Sequence, residues 1–158
     1  MNNFTKTVSL LILLALISFS SNAQDYNTAI GVRLGYGTGI TAKHFIASNR
    51  AVEGIIDSRW QGVRVTGLYE VHKKFPNAEG LGWYYGVGAH IGFWNTRNRR
   101  NEFNNASAVV GIDGIIALDY TFKELPINLS LDWKPGFNII GYSGYWSREI
   151  AIGIRYAF

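Results

Sequence analysis

The chain has 158 residues, a formal net charge of +4 and no cysteine. So small a basic excess does not indicate a nucleic-acid-binding surface, and the lack of thiols excludes a disulfide scaffold, a thiolate metal site and a cysteine lipid anchor. The 18 glycines, 9 tyrosines, 9 phenylalanines and 5 tryptophans, against 3 prolines, favour strands and tight turns over helices.

The first 23 residues are typical of a secretory signal peptide. Lys6 precedes an apolar run from Val8 to Phe19, and the small residue Ala23 stands where a signal peptidase cleaves. The apolar run is shorter than the roughly 20 residues that a membrane-spanning helix needs. We therefore expect residues 1–23 to be removed and residues 24–158 to form one domain.

After residue 23, apolar residues alternate with polar or small ones in eight runs, and a period of two indicates strands with two unlike faces. The predicted strands are Thr28–Gly37, Ile40–Ile46, Ala51–Trp60, Val63–Lys73, Leu81–Trp94, Ala108–Phe122, Ile127–Lys134 and Arg148–Phe158. The second strand is the least regular, because His44 and Phe45 disturb its alternation. A glycine-rich, aromatic loop is expected from Pro135 to Ser147.

The last strand shows the alternation most clearly. One face carries Ile150, Ile152, Ile154, Tyr156 and Phe158, and the other carries Glu149, Ala151, Gly153, Arg155 and Ala157. Bulky apolar groups opposite small or charged groups are typical of a membrane barrel strand. Eight such strands can close into an up-and-down barrel whose interior is just wide enough for side chains, so we expect no open pore.

The composition of the polar face distinguishes a membrane barrel from a soluble, lipocalin-like periplasmic barrel. Glycines are interleaved there with a near balance of acids and bases, which favours a narrow, ion-paired interior. The residues expected to form ion pairs inside the barrel are Arg33, Glu53, Asp57, Arg64, Glu70, Asp113, Asp119, Asp132 and Arg155, with Arg59, Lys134 and Glu149 on the same face.

Aromatic residues near the strand ends of the apolar face predict girdles at the two membrane interfaces. These residues are Tyr36, Trp60, Trp83, Phe93, Tyr120, Trp133, Tyr156 and Phe158.

With these features the chain resembles the small eight-stranded outer-membrane barrel proteins of Gram-negative bacteria, typified by the OmpA transmembrane domain and OmpX. The resemblance covers the signal peptide, the strand count and the closing I-x-I-x-I-x-Y-x-F pattern. It implies an all-β fold, an eight-stranded antiparallel up-and-down transmembrane β-barrel, exported through the general secretory pathway to the outer membrane. It also implies that the barrel assembly machinery recognises Phe158, with Tyr156 and Ile154 behind it.

The chain differs from the long-looped adhesins of that class in the length of the loops on its expected outer side. Two of its three predicted loops, Gly37–Gly39 and Gln61–Gly62, are very short. The longer connection from Asn95 to Asn105 is the most basic stretch of the chain. Its arginines could hold lipopolysaccharide phosphates, the alternative being a solvated hairpin end. The arginines are Arg97, Arg99 and Arg100.

No residue pattern predicts catalysis or a metal site, since no pair of histidines has ligand spacing. A lipid A-modifying hydrolase would need a serine, a histidine and an acid to meet near one interface. The candidates are His72 or His90 with Ser130 or Ser143 and Glu70. Both histidines fall on the inward face, where a hydrogen-bonded structural histidine is the simpler interpretation.

We therefore expect a monomeric, porin-like outer-membrane barrel with a structural or surface-interaction role, no catalytic centre, no cofactor and no nucleic-acid partner. Its expected partners are outer-membrane lipids, lipopolysaccharide and the barrel assembly machinery. The alternatives are a lipid A-modifying outer-membrane hydrolase and a soluble periplasmic binding barrel.

Overall fold

The computed structural model describes residues 26–59, 62–94, 108–141 and 144–158. The strand segments are β1 (Thr28–Gly35), β2 (Thr38–Ala47), β3 (Arg50–Arg59), β4 (Gly62–Lys74), β5 (Leu81–Trp94), β6 (Ala108–Thr121), β7 (Ile127–Trp133), β8 (Gly136–Ile140), β9 (Gly144–Trp146) and β10 (Ile150–Ala157). Within these ranges no helix is long and apolar enough to cross a membrane. The predicted signal peptide, residues 1–23, lies outside the described residues.

The ten segments form eight barrel strands, because the last four segments join in pairs. β7 and β8 both pair with β6 along one register. Pro135 separates them because proline has no N–H for the ladder, but its carbonyl still accepts a hydrogen bond from the Gly114 N–H at 2.9 Å. β9 pairs with β8, and β10 pairs with β7. β9 and β10 therefore also follow each other along one barrel strand.

All neighbouring strands are antiparallel, and the pairing of β5 with β6 closes the sheet. β1 pairs with β10, so the first and the last barrel strands are neighbours. The Thr28 N–H donates to the Phe158 carbonyl at 3.0 Å, and the Phe158 N–H donates to the Thr28 carbonyl at 2.8 Å. The predicted eight-stranded antiparallel barrel is therefore confirmed. We call the end that holds Thr28 and Phe158 the near end and the opposite end the far end.

Short turns join the strands at the near end, through residues 48–49, 75–80 and 122–126. At the far end lie the strand ends that flank residues 36–37, 60–61, 95–107 and 141–143, so the chain makes four connections on this side, where three were expected. Gly80 at the near end and Gly141 at the far end have φ angles of 78° and 90°, a backbone conformation that favours glycine.

The predicted loop from Pro135 to Ser147 is wrong, because most of it belongs to β8 and β9. The side chains of β8 keep the alternation of a barrel strand, with Asn138 buried and Phe137 exposed. Pairing with β6 holds this segment in the sheet despite the preceding proline, and a register shift at Val110 accommodates one extra residue.

The barrel has a polar interior and an apolar outer surface. Ile150, Ile152 and Ile154 of β10 are exposed, as the alternation predicts. The buried charged residues are Arg33, Lys43, Glu53, Asp57, Arg64, Glu70, Asp113, Asp132, Lys134, Glu149 and Arg155. This distribution is the reverse of the one found in soluble globular proteins, where charged side chains are rarely buried.

Candidate functional site: the charged barrel interior

The interior at the near end contains two bases and two acids in contact. Lys43 Nζ lies 3.2 Å from Glu53 Oε2 and 2.8 Å from Glu70 Oε2. Arg155 Nη2 lies 2.6 Å from the other oxygen of Glu53. Since the four residues come from β2, β3, β4 and β10, this near-end cluster connects four strands across the interior. Their charges are compensated within the cluster, as burial requires.

Aromatic rings extend this near-end cluster toward the end of the barrel. Lys43 Nζ lies 3.6 Å from the centre of the Tyr84 ring, a cation–π distance. The His72 ring stacks on Tyr84 with centroids 4.6 Å apart, and Phe45 packs on His72 at 4.7 Å. Tyr26, just before β1, contacts the edge of Phe45 at 5.4 Å. Side chains therefore fill this end of the interior up to the first described residue.

Glu149 is the centre of a second cluster, at the far end. Its carboxylate contacts three bases: Arg33 Nη1 at 3.1 Å, Arg64 Nη1 at 3.0 Å and Lys134 Nζ at 3.2 Å. Glu149 lies between β9 and β10, where the strand is irregular, and its side chain is buried. One acid thus connects bases from β1, from β4 and from the β7–β8 strand.

Each of these three bases also contacts an aspartate. Arg33 Nε lies 3.1 Å from Asp132, Arg64 Nη2 lies 3.0 Å from Asp57, and Lys134 Nζ lies 3.2 Å from Asp113. The far-end cluster is therefore redundant, because no base in it depends on Glu149 alone.

His90 continues the far-end cluster through hydrogen bonds at both ring nitrogens. Nδ1 lies 2.7 Å from Asp113 Oδ2 and Nε2 lies 2.9 Å from Asn138 Oδ1. Gly111 on the neighbouring strand leaves the room that the ring occupies, since a Cβ there would lie 2.4 Å from His90 Cε1. The histidine is thus held in place by packing and by polar contacts.

Two interior residues differ from the sequence interpretation. Asp119 accepts a hydrogen bond from the Asn128 amide at 3.1 Å, so its partner there is an amide instead of a base. Lys43 was not among the expected pairing residues, because the alternation of its strand was obscured by His44 and Phe45. Lys43 lies opposite Glu53 in the pairing of β2 with β3. Aligning the two predicted strands so that a base faces this acid would have identified Lys43 as an interior residue. For Arg59, which was expected on the same face, the structure describes the backbone but not the side chain.

The serine, histidine and acid of the hydrolase alternative do not meet among the described residues. Ser130 accepts a hydrogen bond from Arg155 at 2.8 Å, while His72 contacts Glu70 at 3.0 Å. His44, on the outer face, hydrogen-bonds to the Thr28 hydroxyl at 2.9 Å. Ser143 lies outside the described residues. Nowhere in the described ranges do three or more metal-ligating side chains form a group.

Aromatic side chains are concentrated at both ends of the outer surface. At the near end they form ring pairs on three strands: Trp83 with Tyr85, Tyr120 with Phe122, and Tyr156 with Phe158. At the far end the exposed aromatics include Tyr36, Phe93, Phe137 and Tyr145. Trp133 lies inside the β7–β8 strand and not at a strand end, because this strand continues to Ile140. Trp60 is outside the described residues.

The C-terminal residues to which an assembly role was assigned lie on the outer surface of β10 or just after it. Phe158 and Ile154 are exposed, and Tyr156 is half-buried. Arg97, Arg99 and Arg100, the expected lipopolysaccharide contacts, lie outside the described residues.

The fold has a counterpart among solved structures. The chain is similar to the crystal structure of the N-terminal β-barrel domain of Pseudomonas aeruginosa OprF, with a TM-score of 0.63 and 14% sequence identity. The alignment covers 84% of this chain and 99% of that chain. At this identity the similarity shows the eight-stranded barrel fold alone. No protein-family model matches the sequence, and no curated protein matches it either.

Proposed function

We propose that this chain is a small integral outer-membrane β-barrel protein with a structural or surface-interaction role and no catalytic centre. Export through the general secretory pathway follows from the predicted signal peptide. The observation that carries the proposal is the closed sheet with apolar residues outside and compensated charges inside.

The height of the apolar band supports a position in a bilayer. On β5, the aromatic residues Trp83 and Phe93 lie ten residues apart, and the outward positions between them are all apolar or aromatic. Ten residues extend about 33 Å along a strand. At the usual tilt of roughly 40°, this corresponds to a band about 25 Å tall, which is the height expected for a membrane barrel.

A soluble binding barrel would need the opposite arrangement of side chains. Its outer surface would be solvated, whereas Val87, at 68% exposure, and Ile140, at 62%, are among many exposed apolar residues here. Such an extended apolar surface would cause a water-soluble monomer to aggregate. The interior is filled by ion pairs and offers little apolar surface to a hydrophobic ligand.

The partners follow from this position. We propose that Phe158, Tyr156 and Ile154 form the recognition signal for the barrel assembly machinery and that Arg97, Arg99 and Arg100 contact lipopolysaccharide phosphates. We also propose that the protein is a monomer and that its interior, filled by the two charged clusters, forms no open pore. Its proposed role is therefore structural, or an interaction at the membrane surface.

Membrane fractionation combined with heat-modifiable gel mobility tests this proposal. The protein should remain with the outer membrane after a carbonate wash, and an unboiled sample should migrate differently from a boiled one. Recovery in the soluble periplasm would contradict the proposal. A change in lipid A acylation on substituting His90→Gln would contradict the absence of a catalytic centre.

A further inference from the structure

Two positively charged residues lie on the outer face at the near end. Arg50 pairs with Val71 and Lys73 pairs with Trp83, and opposite residues of antiparallel strands share a face. Both cations are exposed. Lys73 Nζ lies 5.3 Å from the centre of the Trp83 ring and 5.9 Å from that of Tyr85. A lysine is thus held beside the near-end aromatic girdle.

These two cations differ from other charged residues of the described barrel. Among the outward-facing positions of the described strands, only Arg50 and Lys73 carry a charged lysine, arginine, aspartate or glutamate side chain. Neither forms an ion pair with a described acid. Lys123, in a near-end turn, instead donates to Glu79 and lowers the pKa of that carboxyl. Arg50 and Lys73 are therefore available to an anion from outside the chain.

An apolar groove begins beside this pair of cations. It is lined on the outer wall by Leu81, Leu118, Tyr120, Leu129, Leu131 and Ile152, and its exposed surface is almost entirely apolar. The groove separates two rows of side chains that run across the strands. The first row contains Lys73, Trp83, Leu118, Leu131 and Ile152, and the second contains Leu81, Tyr120, Leu129 and Ile154.

The groove and the cation beside it lie within the depth of one leaflet of a bilayer. The groove lining runs from Leu81 on β5 to Ile152 on β10, which is three strand spacings of about 4.8 Å, or about 14 Å. Lys73 lies one strand spacing beyond Trp83 in the first row, so the row from Lys73 to Ile152 is about 19 Å long. Half of a hydrocarbon core is roughly 15 Å deep. Because barrel strands are tilted by roughly 40°, this row, perpendicular to them, descends about 12 Å from the near-end rim toward the middle of the wall.

We propose that this groove and the two cations form a binding site for a phospholipid with an anionic headgroup. The phosphate lies between Arg50 and Lys73, Trp83 contacts the glycerol region, and one acyl chain occupies the groove. The site rests on the proposed membrane position and adds a lipid preference to it. Two uncompensated cations favour a headgroup with net negative charge over a zwitterionic one.

Native mass spectrometry of the refolded full chain tests the site, with mixed micelles that contain phosphatidylglycerol and phosphatidylcholine in equal amounts. The wild-type barrel should retain phosphatidylglycerol in preference to phosphatidylcholine. Arg50→Gln and Lys73→Gln should each lower this preference about fivefold, which corresponds to about 1 kcal/mol per basic residue near a lipid surface. Lys123→Gln is the matched control and should leave the preference unchanged, because Lys123 already contacts Glu79.

A second pair of variants tests the groove. Leu131→Trp fills it and should lower retention of both lipids, whereas Val65→Trp, on the outer face of β4, should not. Equal retention of the two lipids by the folded wild-type barrel, or equal effects of the Lys73 and Lys123 variants, would overturn the site alone. A chain that fails to insert into vesicles, as judged by heat-modifiable mobility, would overturn the proposed function and the site with it.

Discussion

Replacing Lys43 with methionine removes the positive charge between two buried carboxylates and keeps the length of the side chain. Glu53 retains Arg155, 2.6 Å away. Apart from its acidic neighbour Glu53, Glu70 retains only the His72 imidazole, 3.0 Å away, among the contacts described for its carboxylate, and its Oε1 already lacks a hydrogen-bond partner. Breaking a buried ion pair from one side costs about 3–5 kcal/mol, because a buried charge is left without compensation. We expect the free energy of unfolding to fall by about this amount.

Urea-induced unfolding of the refolded barrel in lipid vesicles measures this loss, with tryptophan fluorescence and gel mobility as two independent signals. The double variant Lys43→Met with Glu70→Gln is the matched control, because it carries no uncompensated carboxylate at this place. It should recover most of the lost stability. A loss of less than about 1 kcal/mol, the size expected for a solvated surface pair, would refute the reasoning. So would a double variant no more stable than the single one.

Three further predictions concern packing, the outer wall and assembly. Gly111→Ala should destabilise the barrel by about 1–3 kcal/mol in the same urea assay, because its Cβ would lie 2.3 Å from a carbonyl oxygen, whereas Gly54→Ala, with open space, should have little effect. Val87→Lys should cost about 2–4 kcal/mol in vesicles if lipid surrounds the wall, and Leu125→Lys in a near-end turn should cost far less. Phe158→Ser should reduce the heat-modifiable fraction in cells while leaving refolding in detergent intact.

Long alternating runs were predictable because a strand places successive side chains on opposite faces. β5 begins at Leu81 and ends at Trp94, as predicted, since its 14 residues alternate without a break. Irregular runs were harder to interpret. The bulge near Phe45 hid the inward orientation of Lys43, and Pro135 was interpreted as the end of a strand that in fact continues to Ile140.

The hydrogen-bonding pattern explains the error at Pro135. A proline removes one hydrogen bond from the ladder between strands. The local sequence does not show that the flanking residues regain their partners on β6 and on the strand formed by β9 and β10. The Lys134 N–H donates to the Glu149 carbonyl at 2.8 Å, so the strand remains anchored on both sides of the interruption. The two residues of the interruption, Lys134 and Pro135, therefore remain part of the barrel wall.

The amino-acid sequence by itself determined the class of fold, the number of barrel strands and the face of each clear strand that is apolar, because these follow from a local period of two and from turn residues. Only the tertiary structure decided which acid meets which base. Arg33 and Asp132 are 99 residues apart in the chain, and Arg155 and Glu53 are 102 apart. Such contacts depend on how the closed sheet aligns its strands across a narrow interior, and a local pattern carries no information about that alignment.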